Sequence, residues 1–285
     1  MKLASCTMIY LDYTTLEEAI RRIAKAGFGG VDVWGDGPHL DVMTDQGDRK
    51  DLCKLVADQG LAWSALSVNG GALARQYNFS YSKDWVRRQT VDYYKTCLDV
   101  CAEMGIARIN VISGHMMSDT TFEQAWQWNK EAIAEIGEHA AKVNVTPCLH
   151  TLTSSESRVV VTLDDTLRLR NEIGRENIKI QIDTADQNIT DSNISDAVRK
   201  VAKQLDYVHF SDNEGHGLGL THNVPGHGTM NWKRFVAELR DGGYEGWLTA
   251  QLYAGHPIDP DAWQEECVSY MKSVMLECGV WDGSS

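Results

Sequence analysis

The sequence predicts a (β/α)8 barrel of the TIM type, an α/β fold with a closed parallel sheet. Three observations predict it. Short apolar segments alternate with segments of helical spacing eight times along the chain. The apolar segments are continuous rather than alternating, as parallel strands covered on both faces require. Those in the second half end in polar clusters, where a barrel places its chemistry. A length of 285 residues suits one barrel, so a single domain over residues 1–285 is expected. The competing architecture, a doubly wound open sheet, would favour a Gly-rich phosphate loop after the first strand. Tyr10-Leu-Asp-Tyr-Thr14 stands there instead.

The elements follow in order. Residues 3–9 are an apolar opening strand. Thr15-Leu-Glu-Glu18 has the form of a capping box, and residues 16–26 have helical spacing. Ala26-Gly-Phe-Gly-Gly30 stops that helix, and Val31-Asp-Val-Trp34 follows as strand two. Residues 48–59 are helical, 61–68 a strand, 84–104 a long helix and 108–112 strand four. Helix four spans 121–143, strand five 145–150, helix five 163–173 and strand six 178–182. Helix six spans 194–204, strand seven 207–210, helix seven 231–240, strand eight 246–250, and the closing helix 261–277. The one Gly-rich stretch, 213–228, follows strand seven. It carries Gly215, Gly217, Gly219, Gly226 and Gly228 with His216, His222 and His227, and reads as an active-site loop rather than a dinucleotide fingerprint.

Composition narrows the function classes. Lys plus Arg number 27 against 40 Asp plus Glu, a net charge of −13. That acidity disfavours nucleic acid and anionic membranes, both of which reward clustered cations. The seven cysteines are scattered and form no CxxC, so neither a zinc site nor a disulfide framework is expected. Met1-Lys2-Leu3-Ala4-Ser5-Cys6 begins a strand rather than a signal peptide, and no apolar run approaches a membrane span. A soluble, cytoplasmic protein is expected.

The chemistry is expected at the ends of strands five to eight. Cys148-Leu149-His150, Ile180-Gln-Ile-Asp183, Tyr207-Val-His209 and Thr249-Ala-Gln251 each end in a donor group. Imidazole, carboxylate and amide oxygen suit a hard or borderline divalent ion. His150, Asp183, His209 and Gln251 are therefore read as the ligands of one metal, Mn²⁺ first, with Mg²⁺ and Co²⁺ as alternatives.

With these motifs in hand, the chain resembles the xylose-isomerase-like barrels, the sugar isomerase and epimerase group. The resemblance rests on Asp183-Thr-Ala-Asp-Gln-Asn188, His209-Phe-Ser-Asp212, Pro225-Gly-His-Gly-Thr-Met-Asn-Trp232, Phe28-Gly-Gly-Val-Asp-Val-Trp34 and Cys101-Ala-Glu-Met-Gly105, and covers nearly the whole chain. It implies a metal held by Glu, Asp, His and Glu in the ketose 3-epimerases, with the two Glu exchanging protons on opposite faces of the sugar. Asp183 and His209 match that pattern. His150 and Gln251 stand where the two Glu would be, Glu156 matches a Glu that contacts substrate, and Asp186 replaces a substrate-binding His.

Gln251 cannot titrate, so the two-carboxylate mechanism is closed to this chain. A metal with a single base suits elimination beside a carbonyl. Within the group this logic belongs to keto-inositol or keto-sugar dehydratases and to C-glycoside deglycosidases acting on 3-oxo-glycosides. His150 is read both as ligand and, with its ordinary pKa near 6.5, as base; the sequence leaves that choice open. Glu156 is its catalytic companion. The leading reading is a metal-dependent lyase on a keto-sugar or 3-oxo-glycoside. The alternatives are an isomerase or epimerase with a different acid–base pair, and a barrel that binds a sugar or a partner without catalysis. Trp34, His115, Asp186, Asp212, His227 and Tyr253 are the candidate substrate contacts, and Asn69 lines the same half of the pocket. Asp212 is also a candidate to support an imidazole from behind. The expected partners are a small sugar or glycoside and either a second copy of the chain or, by resemblance to the deglycosidases, a small second subunit.

Overall fold

The computed structural model describes residues 1–44, 49–68, 76–191, 193–217, 221–253 and 259–281. Asn69, Gly219 and Asp48, the first residue of the expected second helix, lie outside the described residues. Eight strands run parallel: β1 (Lys2–Cys6), β2 (Gly30–Trp34), β3 (Ala62–Ser67), β4 (Arg108–Ile112), β5 (Thr146–His150), β6 (Lys179–Asp183), β7 (Leu205–Phe210) and β8 (Trp247–Ala250). They pair in chain order, and β8 closes onto β1. The fold is a (β/α)8 barrel.

Helices α1 (Leu16–Ala26), α2 (Arg49–Asp58), α3 (Asp84–Met104), α4 (Phe122–Val143) and α5 (Leu163–Ile173) return the chain between the first six strands. α6 (Thr184–Thr190) and α7 (Ile194–Val201) precede β7, and α8 (Trp232–Asp241) and α9 (Pro260–Glu277) complete the ring. Local chemistry sets their ends. Thr121 with Gln124 and Thr162 with Asp165 form reciprocal capping boxes, while Thr15 accepts from the Glu18 N–H only. Gly27, Gly105 and Gly174 end α1, α3 and α5 in the left-handed conformation. No described helix is long and apolar enough to cross a membrane.

Two elements differ from the sequence expectation. The opening strand stops at Cys6 and continues as a 3-10 turn, Thr7–Tyr10. The stretch after β6 is a short helix, α6, too brief to show a period in the sequence.

Alternation along each strand sorts the side chains. On β6, Ile180 and Ile182 are wholly buried members of the apolar core that the helices cover. Gln181 and Asp183 point the other way, into the barrel. Asp32 on β2 touches Tyr207 and His209 on β7, strands that are not neighbours in the sheet. Such contacts form only across the barrel interior. Towards the C-terminal end that interior is polar, in place of the usual branched aliphatic layers.

Candidate metal centre

His150 and Asp183 end β5 and β6, His209 is the penultimate residue of β7, and each offers a donor atom within 4.8 Å of the other two. All three are buried. Asp183 pairs with His209 in the β6–β7 register, which sets the carboxylate and the imidazole side by side. The two oxygens of Asp183 have separate tasks. Oδ1 caps α6 by accepting the Ala185 N–H at 3.0 Å. Oδ2 has no hydrogen-bond partner and lies 3.6 Å from both His150 Nε2 and His209 Nδ1. His150 Nε2 is likewise unpartnered, 3.5 Å from Asp186 Oδ2.

Burial lowers the affinity of the His150 imidazole for a proton, but the carboxylates of Asp183 and Asp186 outweigh it and push the pKa up to about 9. Burial raises the Asp186 carboxyl to about 7, with Asp183 and Glu156 adding to the rise and His150 opposing it. Burial also works to raise Asp183, yet the two imidazoles hold it well below the usual carboxylate range.

The residues fit a divalent cation. Asp183 Oδ2, Asp186 Oδ1, Gln251 Oε1 and His150 Nε2 are buried atoms without hydrogen-bond partners. Such groups are costly to bury unpaired, and a cation is the partner that oxygens and an imidazole lone pair share. Gln251 follows β8, its N–H bonded to the Phe210 carbonyl at 3.1 Å and its Nε2 3.7 Å from Met8 Sδ.

The imidazole of His209 is held from behind. Its Nε2 lies 2.7 Å from Asp32 Oδ2, and the same oxygen accepts from Ser67 Oγ at 2.8 Å and Tyr207 Oη at 2.7 Å. On the other side Gln181 Nε2 lies 3.0 Å from His209 Nδ1. Behind His150, Asn110 Nδ2 stands 3.5 Å from Nδ1 while its amide bridges the Val68 backbone. The sequence reading missed Asp32, Ser67, Asn110 and Gln181, and read Tyr207 only as part of a strand. Strand parity could have found two of them, because Gln181 and Tyr207 stand two residues before Asp183 and His209.

Of the candidate substrate contacts, Asp186 lies beside His150, and Glu156 is half-buried in the loop after β5, where its charge bears on Asp186. Trp34 is buried at the end of β2, its N–H bonded to Thr7 Oγ1. His115 is half-buried, its carbonyl accepting from Asn78 Nδ2. Tyr253 is exposed, and its backbone pairs with that of His222 to tie the loop after β7 to the loop after β8. His222, read from sequence only as a loop residue, turns its ring towards the centre: the charges of Asp183, His209 and His150 all act on it, and Nδ1 lies 3.0 Å from Ser211 Oγ.

Two candidates are engaged away from the centre. Among the described residues Asp212 makes no hydrogen bond to an imidazole. Its carboxylate accepts from the N–H groups of Asn213, Gly226 and Met230 and from Trp232 Nε1, so it organises the loop after β7. Gly228 must be glycine there, since a Cβ would meet Asp212 Oδ1 and Asn213 O at 2.3 Å. His227, the other candidate, turns towards α9. It pairs with Glu266 of α9 at 2.7 Å, both side chains half-exposed.

Comparison with known proteins gives a consistent picture. Residues 20–274 match the family described as xylose isomerase-like TIM barrel. The fructoselysine 3-epimerase of Escherichia coli O157:H7 is 22% identical over 262 residues, covering 92% of this chain and 94% of that protein. The D-psicose 3-epimerase of Agrobacterium fabrum is 24% identical over 235 residues, covering 80% and 75%. Among solved structures, an L-ribulose 3-epimerase superposes with a TM-score of 0.84 at 19% identity, covering 100% of this chain and 99% of its own. A 3-keto-D-glucoside 4-epimerase from E. coli gives 0.81 at 18%, covering 96% and 99%.

Proposed function

The chain belongs to the xylose isomerase-like TIM barrel family, and on that premise we propose a divalent-metal-dependent lyase that acts through an enolate on a keto-sugar or 3-oxo-glycoside. The observation that carries this reading is the convergence of His150, Asp183 and His209, with an amide, Gln251, at the end of β8 in place of a second carboxylate. His150, Asp183, His209 and Gln251 would hold the cation, Mn²⁺ by preference. When bound, it polarises a substrate carbonyl and offsets the negative charge that develops on loss of the neighbouring proton. His150 serves as ligand rather than base, because its unpartnered Nε2 is the atom turned towards Asp183.

Glu156 removes the proton from the carbon beside the carbonyl. Its carboxylate is half-buried in the loop after β5, within electrostatic reach of Asp186. Electrons from the broken C–H bond then expel the substituent on the next carbon, which leaves with its bonding pair and takes up the proton held by Glu156, so the products are an unsaturated ketone and the protonated released group.

A second reading, an isomerase or epimerase with an unusual acid–base pair, is favoured by the epimerase names of the relatives and by Asp186, a buried second carboxylate 3.5 Å from His150. One experiment separates the two: the Mn²⁺-loaded protein is incubated in D2O with a 3-oxo-glycoside, a keto-inositol and a ketose. The lyase reading expects eliminated product from one of the first two. Deuterium in recovered ketose without elimination would favour the epimerase, and inertness towards all three overturns both.

A further inference from the structure

We infer that Asp32 is a positioning residue of this centre, which fixes the proton of His209 on Nε2 and so leaves Nδ1 as the atom that binds the cation. The inference rests on the metal reading above and says which atom of which residue makes that reading work. Asp32 stands on β2, far in sequence from His209 on β7, and it is wholly buried. A carboxylate only accepts hydrogen bonds, so at 2.7 Å from Asp32 Oδ2 the Nε2 atom must carry a proton.

The opposite side of the ring agrees independently. Gln181 presents its amide nitrogen, a donor without a lone pair, 3.0 Å from Nδ1, so Nδ1 is the acceptor. Nδ1 also lies 3.6 Å from Asp183 Oδ2, so a cation arriving there takes over the lone pair that the Gln181 N–H holds in the metal-free protein. Two contacts from β2 and β6 thus select one tautomer and one ring orientation.

Asp32 is itself held for the task. Ser67 Oγ and Tyr207 Oη converge on the same Oδ2, so the buried carboxylate is oriented by hydroxyl donors as well as by the ring. A phenol has one proton, and with the carboxylate receiving it, Thr249 Oγ1 at 2.8 Å donates to Tyr207. The chain of contacts runs Thr249, Tyr207, Asp32, His209 and ends at the cation site. Supports of this kind orient metal-binding imidazoles, and their loss costs about 10–100-fold in metal affinity.

The test uses the intact protein labelled with ¹⁵N-histidine and freed of metal by chelation. Long-range ¹H–¹⁵N correlation, with His209 assigned by loss of its signals in His209→Gln, is expected to show proton on Nε2 and a bare Nδ1. Asp32→Asn offers an amide that donates to Nε2, so proton moves to Nδ1 and Co²⁺ binds about 10–100-fold more weakly by visible absorption titration. Asp32→Glu, which keeps the acceptor, restores much of that affinity. A protonated Nδ1 in the wild type, or an Asp32→Asn protein with unaltered tautomer and Co²⁺ affinity, overturns the inference while the metal reading stands. The expected tautomer with no Co²⁺ uptake by the wild type overturns the metal reading itself. Should Asp32→Asn fail to fold, the wild-type spectrum and Asp32→Glu titration still decide.

Discussion

His150 Nε2 lies 3.6 Å from Asp183 Oδ2, too far for a hydrogen bond and at the separation of two atoms that share an ion. Ligands about 2.1 Å from one cation stand roughly 3.0–3.4 Å apart in octahedral or tetrahedral arrangement. Small side-chain adjustments close the difference. The same distance recurs between Asp183 Oδ2 and His209 Nδ1, so Asp183 is the common member of two such pairs.

Removing that common member empties the centre. Asp183→Ala and His150→Ala are expected to lower bound Mn²⁺ from about one per chain to a small fraction, measured by elemental analysis after dialysis. Asp183→Ala also loses the cap of α6, so a modest drop in melting temperature accompanies it. Full retention of metal in both variants would place the ion elsewhere.

Gln251→Glu converts the fourth donor into a carboxylate. It is expected to tighten Mn²⁺ binding several-fold and to introduce solvent deuterium into recovered keto-sugar, since a second titratable group then faces the substrate. Unchanged affinity would show that Gln251 does not touch the ion.

Metal uptake is expected to release protons. The His150 imidazole is pushed up to about 9, so below that pH its protonated form dominates in the metal-free protein, and a ligand must be neutral. Apparent affinity therefore rises with pH, by up to about tenfold per unit between pH 7 and 8. Calorimetry at pH 7.5 in buffers of different ionisation enthalpy reads the release, about one proton per ion. No release means that His150 is not a ligand.

Asp212→Ala removes the acceptor for the Gly226 N–H, which is part-buried, and for the Met230 N–H and the Trp232 indole, which are buried. A loss of about 3 kcal/mol in stability is expected, read from denaturant midpoints, because each stranded donor keeps its desolvation cost. Metal affinity should fall far less than in Asp183→Ala. An equal fall would return Asp212 to the centre.

Asp191 gives a pH signature away from the centre. Burial pushes its carboxyl up to about 6, against an ordinary 3.8. The protonated form suits the folded state, so its contribution is fully present below 3.8 and is lost as pH rises through 6. Asp191→Asn is therefore expected to raise the melting temperature by about 2 °C or more at pH 8 and to do little at pH 3.5. An unchanged melting temperature at pH 8 would show that the folded protein bears this charge without strain.

The barrel and the row of strand ends that face one another are legible in the chain alone. Continuous apolar runs separated by helical spacing admit few other folds, and His150, Asp183 and His209 each close such a run. The chain also sets α1, α3, α4 and α5 closely, because caps, Gly stops and periodicity are local signals. What stands behind those side chains emerges with folding. Asp32 and His209, or Asn110 and His150, meet because the barrel closes, and no spacing along the chain encodes that closure. The same limit explains Asp212 and His227. A carboxylate three residues past a ligand looks the same in sequence whether it turns to an imidazole or to its own loop. The choice falls to whichever donors lie in reach once folded: for Asp212 the N–H groups of Gly226 and Met230, and for His227 the carboxylate of Glu266 on α9.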